Sequence, residues 1–306
     1  MTPAPALGDQ VLPFRIERSG VRGRLVRLQP ALDQILAPHN YPASVAGLLS
    51  ETVALAAVLA SALKYDGIFT LQIQGDGPVR LLMADVTSVG DLRGYAQFSP
   101  ERVAEAEKGT GAPVPRFVGN GTLAFTVDQG PDTERYQGIT DLAGATINDC
   151  AHNYFRQSEQ LDSAIVIVTS LGEDGKTPRA AALTIQRLPL AQGADADELS
   201  EEWRRTVILL SSITGRELLD PAVPSRDILW RLFHEDGVRV FKSRPLRHAC
   251  RCSRAKVERT LRSFPREEIE AMAEDKVVTV TCEFCKSNYV FDHDALDALY
   301  PTAALK

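Results

Sequence analysis

Four of the five cysteines in this 306-residue chain fall within one 36-residue stretch, as Cys250-Arg251-Cys252 and Cys282-Glu283-Phe284-Cys285. Thiolates are soft ligands, and four of them close a tetrahedral zinc site. The 29 residues from 253 to 281 let the chain leave a metal and return to it. The expected ligands are therefore Cys250, Cys252, Cys282 and Cys285 around one Zn2+. The first pair is unusual, because structural zinc motifs mostly put about two to four residues between paired cysteines. A disulfide within CxC closes a very small ring, departs from relaxed geometry and is easily reduced. The spacing thus admits two uses: a permanent structural ribbon, or a site that is oxidised and restored.

The charges around the cysteines bear on that choice. Ten basic residues lie from Arg239 to Arg266, with Glu258 the only acidic one. Positive charge beside a thiol lowers its pKa and raises its reactivity. The same run also fits a solvated helix face or a zinc-ribbon nucleic-acid patch. A net charge of −6 and the presence of only Phe241 and Phe264 as aromatics in the run argue against nucleic acid as the primary partner. His248 and His293 flank the pairs, but four thiolates already fill a tetrahedron, so both read as solvated surface. Cys150, at helical spacing with Ile147 and Tyr154, reads as a small buried hydrophobe. A thiol oxidoreductase is disfavoured, because Cys282-Glu283-Phe284-Cys285 lacks a thioredoxin-like strand-to-helix setting.

The elements that position these residues are of mixed type. Composition is ordinary for a globular protein, 44% hydrophobic and 24% charged. No export signal or membrane-spanning run is read near Met1–Gln10 or in Val53–Leu63, which predicts a cytoplasmic protein whose clustered thiols serve a metal or redox site. Alternation predicts strands within 11–28, over 68–74, 79–86, 92–98, 122–127, 134–139, 165–168 and 180–186. A long apolar helix is expected from Ser44 as N-cap to Gly67 as terminator, and another over 142–160. The fold class is α+β, with an antiparallel-sheet domain and packed helices over 1–190. A small-residue, acidic stretch at 190–197 marks a boundary.

Residues 191–245 then form a helical linker. One stripe joins Leu199, Trp203, Val207, Leu210 and Ile213 and ends at Gly215. A second, capped by Ser225, joins Ile228, Leu229, Leu232 and Phe233. Helices this short are marginal alone and need a docking surface; Trp203 and Trp230 read as core anchors. Residues 246–306 form the zinc module, with helices split by Pro265 and a strand–CxxC–strand ribbon over 277–291. A module this small depends on its metal for folding.

Several motifs occur in order: Gln74-Gly75-Asp76-Gly77-Pro78, Gly94-Tyr95-Ala96, Tyr154-Phe155-Arg156-Gln157-Ser158-Glu159-Gln160, Cys250-Arg251-Cys252-Ser253-Arg254 and Cys282-Glu283-Phe284-Cys285. Over essentially the whole chain they resemble the heat-shock-protein-33 family of redox-regulated holdase chaperones. The resemblance implies a non-enzymatic, ATP-independent chaperone, inactive while the four reduced cysteines hold zinc. It implies activation by disulfides Cys250–Cys252 and Cys282–Cys285, zinc release and unfolding of the module and linker. The implied partners are unfolding client proteins and, on activation, a second copy of the chain; no membrane is implied. Two departures stand out: Ala255-Lys256 replaces more acidic residues, and Pro265 stands where glycine is frequent.

Overall fold

The computed structural model describes residues 7–156, 162–172, 175, 177–188 and 196–300, with backbone alone for 196–199. The Gln157-Ser158-Glu159-Gln160 block, Leu199 as a stripe member and most of the 190–197 boundary lie outside the described residues or side chains. The chain divides into two compact units, Met1–His248 and Ala249–Lys306.

The first unit is built on two mostly antiparallel sheets. One contains β1 (Gln10–Ile16), β2 (Val21–Leu28), β8 (Ser163–Ser170), β9 (Arg179–Arg187), β10 (Val238–Val240) and β11 (Arg244–Pro245). Its order is β10-β1-β2-β9-β8, with β11 also pairing β1. The other contains β3 (Ile68–Gly75), β4 (Val79–Thr87), β5 (Asp91–Phe98), β6 (Gly121–Asp128), β7 (Tyr136–Asp141) and β12 (Arg247–His248). Its order is β12-β5-β4-β3-β6-β7, and β12 runs parallel to β5. The alternating apolar positions face inward as expected: Phe69, Leu71 and Ile73 on β3 are all buried.

Between the sheets runs α2 (Ala43–Ala60), packed against β4 and β5 on one side and β2, β8 and β9 on the other. Length and composition alone would let this helix cross a membrane, but 72% of it is buried inside the fold. It is the central core helix, apolar all round because both sheets cover it. Its ends differ from the sequence expectation. Pro42 occupies the N-cap and Ser44 Oγ instead donates to Glu107 Oε1 at 2.7 Å. The helix stops at Ala60, seven residues before Gly67. Gly67 opens β3 with φ of 152°, where a Cβ would fall 2.0 Å from the Asp128 carbonyl oxygen. Gly94 marks the closest approach of α2, with Val53 Cγ2 only 2.9 Å from where a Cβ would stand.

Helices α1 (Pro30–Leu36), α3 (Pro100–Glu107) and α4 (Ile147–Tyr154) complete this core. A capping box closes the start of α4: Thr146 Oγ1 accepts from the Asp149 amide, and Asp149 reaches back to the Thr146 amide. This places the start of α4 five residues later than the hydrophobic pattern suggested. A π-helical turn covers Val114–Val118.

The opposite face of the β1–β2–β9 sheet carries the helical segment. Helices α5 (Ala196–Ser211), α6 (Gly215–Leu219) and α7 (Ser225–Phe233) bury Leu210, Leu218, Ile228, Leu229 and Phe233 against Leu12, Phe14, Ile16, Leu25 and Leu183. The docking partner that the short stripes required is therefore this sheet. The Phe233 and Phe14 rings stack at 5.8 Å between centroids. The buried Arg27 guanidinium donates to the carbonyls of Val223, at 2.6 Å, and Asp220, tying the α6–α7 loop to β2. Gly215 opens α6 behind a Thr214 cap, and Pro224, not Ser225, caps α7. Trp230 is 61% exposed and stacks on His234, so it is no core anchor. Trp203 is partly buried against the docked cluster, as read from its stripe.

The second unit contains α8 (Arg254–Leu261), α9 (Arg266–Ala271), a hairpin of β13 (Val278–Thr281) and β14 (Asn288–Phe291), and α10 (His293–Leu299). Among the described residues its core comprises six buried apolar side chains, Leu261, Ile269, Val278, Phe291, Leu296 and Leu299. Pro265 sits at the N-cap of α9, a position that proline tolerates because no intrahelical amide donor is lost there.

Candidate metal centre

The hairpin presents the second cysteine pair. β13 ends at Thr281, and the chain reverses through Cys282–Ser287 before β14. The Lys286 amide donates to the Cys282 carbonyl at 2.8 Å and the Cys282 amide to the Ser287 carbonyl at 2.9 Å. Lys286 takes the left-handed φ of 55° that this tight knuckle requires. The first pair lies just before α8, whose N-cap Ser253 Oγ accepts from the Lys256 amide. Lys256 Nζ donates to the Arg251 carbonyl at 2.7 Å, holding the peptide between the two cysteines.

All four sulfurs lie within 4.8 Å of one another. Cys250 Sγ is 3.7 Å from Cys282 Sγ, and Cys252 Sγ is 3.4 Å from Cys285 Sγ. Four thiolates about 2.3 Å from one Zn2+ at tetrahedral angles stand about 3.8 Å apart. The donor set and spacing therefore fit a metal ion. Neither His248 nor His293 joins the cluster; His293 instead groups with Asp294 and Asp297 and contacts Asp297 Oδ2 at 3.0 Å. Cys150 is 1% exposed on α4, and burial pushes its thiol up to about 11, the behaviour of an inert core residue. All five cysteines are free thiols.

The electrostatics differ from the sequence expectation. Burial pushes the thiols of Cys252, to about 12, and Cys282 upward. At Cys285 burial also acts upward, but hydrogen bonds from Ser287 and from the Cys252 and Cys250 thiols outweigh it and bring the group to about 6. The basic run is not what tunes these sulfurs. Arg254 lies over the Phe291 ring at 4.4 Å and pairs with Glu258, while Arg266 pairs with Glu270 and Asp297. Two residues that spacing did not single out touch the sulfurs. Ser287 Oγ is 3.2 Å from Cys285 Sγ, and the Tyr289 hydroxyl hydrogen-bonds Cys252 Sγ. Their only sequence signal was position: two residues and four residues past the CxxC motif.

A consequence is pH dependence. Thiols pushed upward are protonated at neutral pH, so a cation that takes four thiolates must displace protons. Metal affinity should therefore fall as pH falls. We expect Zn2+ affinity to drop about tenfold or more per pH unit between about pH 8 and 6, measured by competition with a chromogenic chelator. A pH-independent affinity would contradict ligation through these thiols.

The geometry agrees with what is found in known proteins. The profile of the Hsp33 protein family matches residues 9–292. A curated relative from Caulobacter vibrioides NA1000, named 33 kDa chaperonin, is 42% identical over 290 residues, covering 94% of this chain and 95% of the relative. Another of that name from Pseudomonas fluorescens SBW25 is 35% identical over 294 residues, covering 95% and 93%. The crystal structure of the 33 kDa chaperonin (heat shock protein 33 homolog) from Thermotoga maritima shares the fold, with a TM-score of 0.78 over 95% of this chain and 97% of that one at 23% identity. The α+β architecture, the four-cysteine cluster and near-complete coverage by these relatives agree: the chain belongs to the Hsp33 family.

Proposed function

We propose that this chain is a redox-regulated, ATP-independent holdase chaperone of the cytoplasm, inactive when Cys250, Cys252, Cys282 and Cys285 hold one Zn2+. The observation that carries the reading is the cluster of four sulfurs in a unit with six buried apolar side chains among its described residues. When bound, the metal supplies cross-linking that such a core lacks. Oxidation ends that ligation. A peroxide takes two electrons and two protons from each pair and leaves as two waters; Cys250–Cys252 and Cys282–Cys285 become disulfides, which no longer offer thiolates. The contacts Cys250–Cys282 and Cys252–Cys285 run between the pairs, so this pairing rests on family membership.

In this reading the chain works in three parts, a core of 1–190, a metastable linker of 191–245 and a switch of 246–306. Unfolding of the switch is followed by undocking of the linker; the two-residue strand β12 ends two positions before Cys250. The apolar faces of α5–α7 and of the sheet beneath them are then free for unfolding clients and for a second copy of the chain. Binding, not catalysis, does the work. The family match and the names of the relatives favour this reading over a zinc-ribbon nucleic-acid binder.

The test is client aggregation followed by light scattering, with reduced and peroxide-treated protein and no ATP. Oxidised protein should suppress scattering at near-equimolar ratio and reduced protein should not. Equal suppression by both would sink the redox switch, and suppression by neither would sink the holdase.

A further inference from the structure

A second site lies in the first unit. Between α2 and the β2–β9–β8 sheet is a cavity of about 90 Å³. One wall is aromatic: Phe69 and Phe125 stack at 5.8 Å, and Tyr154 meets Phe125 edge-on at 5.1 Å. Leu59 and Ala62 of the helical side complete the apolar lining. The other wall is cationic. Arg22 and Arg24 stand two residues apart on one face of β2, and both line the cavity. Arg22 directs Nε and Nη2 at Gln186 Oε1, at 2.9 and 2.6 Å, and Arg24 gives Nε to the Ser61 carbonyl at 3.0 Å.

Neither guanidinium has a carboxylate partner among the described residues, and the residues next across the strand ladders add positive charge. Arg15 faces Arg22 across the β1–β2 ladder, and Arg239 faces Arg15 across the next. Like charges placed directly opposite are unfavourable. Burial, then Arg22 and Arg244, push the Arg24 guanidinium down to about 10. Buried charges are ordinarily paired. Ser163 Oγ, also on the cavity wall, is out of solvent and has no hydrogen-bond partner among the described residues. Among the described residues, two cations and a hydroxyl without a partner beside an aromatic hollow suit an anion carrying an apolar group.

We propose that this cavity binds a carboxylate attached to a short branched or unbranched aliphatic group, with the carboxylate on Arg22 and Arg24 and the aliphatic group against Phe69, Phe125 and Leu59. An apolar cavity of about 150 Å³ holds benzene, so 90 Å³ takes a group of about four carbons. A leucine side chain is of that size. The same chemistry occurs in a free acid and in the C-terminal residue of a polypeptide. The planar fork of arginine suits either carboxylate.

The test is calorimetry or ligand-observed NMR on the reduced, metal-loaded full chain, with three probes: 4-methylpentanoate, acetyl-Ala-Ala-Leu with a free carboxylate, and the same peptide amidated. We expect the two carboxylates to bind and the amide not to. Binding of the peptide acid alone would assign the site to chain termini, and binding of 4-methylpentanoate alone to free acids. Arg24→Gln should weaken binding at least tenfold. Ala62→Leu, which fills the hollow and leaves the charge intact, should abolish it with the thermal transition retained. No saturable binding of either carboxylate at millimolar concentration, equal binding of the amide, or unchanged affinity in folded Arg24→Gln and Ala62→Leu would overturn the proposal.

Discussion

Replacing Cys282 and Cys285 with serine should leave residues 249–300 without a stable fold and undock α5–α7, while β1–β9 stay folded. Among its described residues the second unit buries Leu261, Ile269, Val278, Phe291, Leu296 and Leu299 as an apolar core. Units below about 40 to 60 residues usually need metals, disulfides or partners to fold. A structural zinc site supplies about 10–16 kcal/mol of apparent binding energy at neutral pH, and that energy is folding energy. Serine keeps the size of the side chain and removes the soft donor, so two of four ligands are lost with little steric change. Limited proteolysis should cut between 249 and 300 and within 200–233 and spare β1–β9, and metal analysis should find under about one-tenth equivalent per chain. A protease-resistant second unit with no bound metal would contradict the account.

Phe233→Ala should make the reduced, metal-loaded protein partly active. Phe233 is fully buried at the end of α7 and stacks on Phe14 of β1. Truncating a buried phenylalanine costs about 3–5 kcal/mol through lost transfer energy and the cavity left behind. Helices as short as α6 and α7 have little stability of their own, so that loss is a large part of what holds them on the sheet. If undocking exposes the client surface, suppression of client aggregation should appear without oxidant, with metal content unchanged. The wild-type activation profile in this variant, despite a lowered thermal transition, would show that docking does not gate activity.

The candidate site was legible because its chemistry is written in residue type and spacing: four thiols in two pairs need only a turn and a helix start to converge. The long strands were legible for a similar reason, since a half-buried sheet forces alternation on residues such as Phe69, Leu71 and Ile73. What escaped was set by tertiary partners. β10, β11 and β12 are two or three residues long and exist because β1 and β5 offer edges to pair with. The helices α1, α3 and α10 span seven or eight residues, too short for a clear period, and two of them begin at prolines, which signal a break as readily as an N1 position. Trp230 reads as a core anchor by residue type, yet α7 turns Ile228, Leu229 and Phe233 inward and leaves the indole outside. The hydrogen bonds of Ser287 and Tyr289 to sulfur depend on the β13–β14 register, which spacing alone does not specify.

The central claim is that loss of the four-thiolate site is transmitted to the docking of α5–α7. Hydrogen–deuterium exchange with mass spectrometry, run beside zinc-release and aggregation assays during peroxide activation, tests it directly. The account predicts that amides of 200–233 and 250–300 lose protection together as zinc leaves and client suppression rises, while β1, β2 and β9 stay protected. Full chaperone activity with α5–α7 still protected would contradict it.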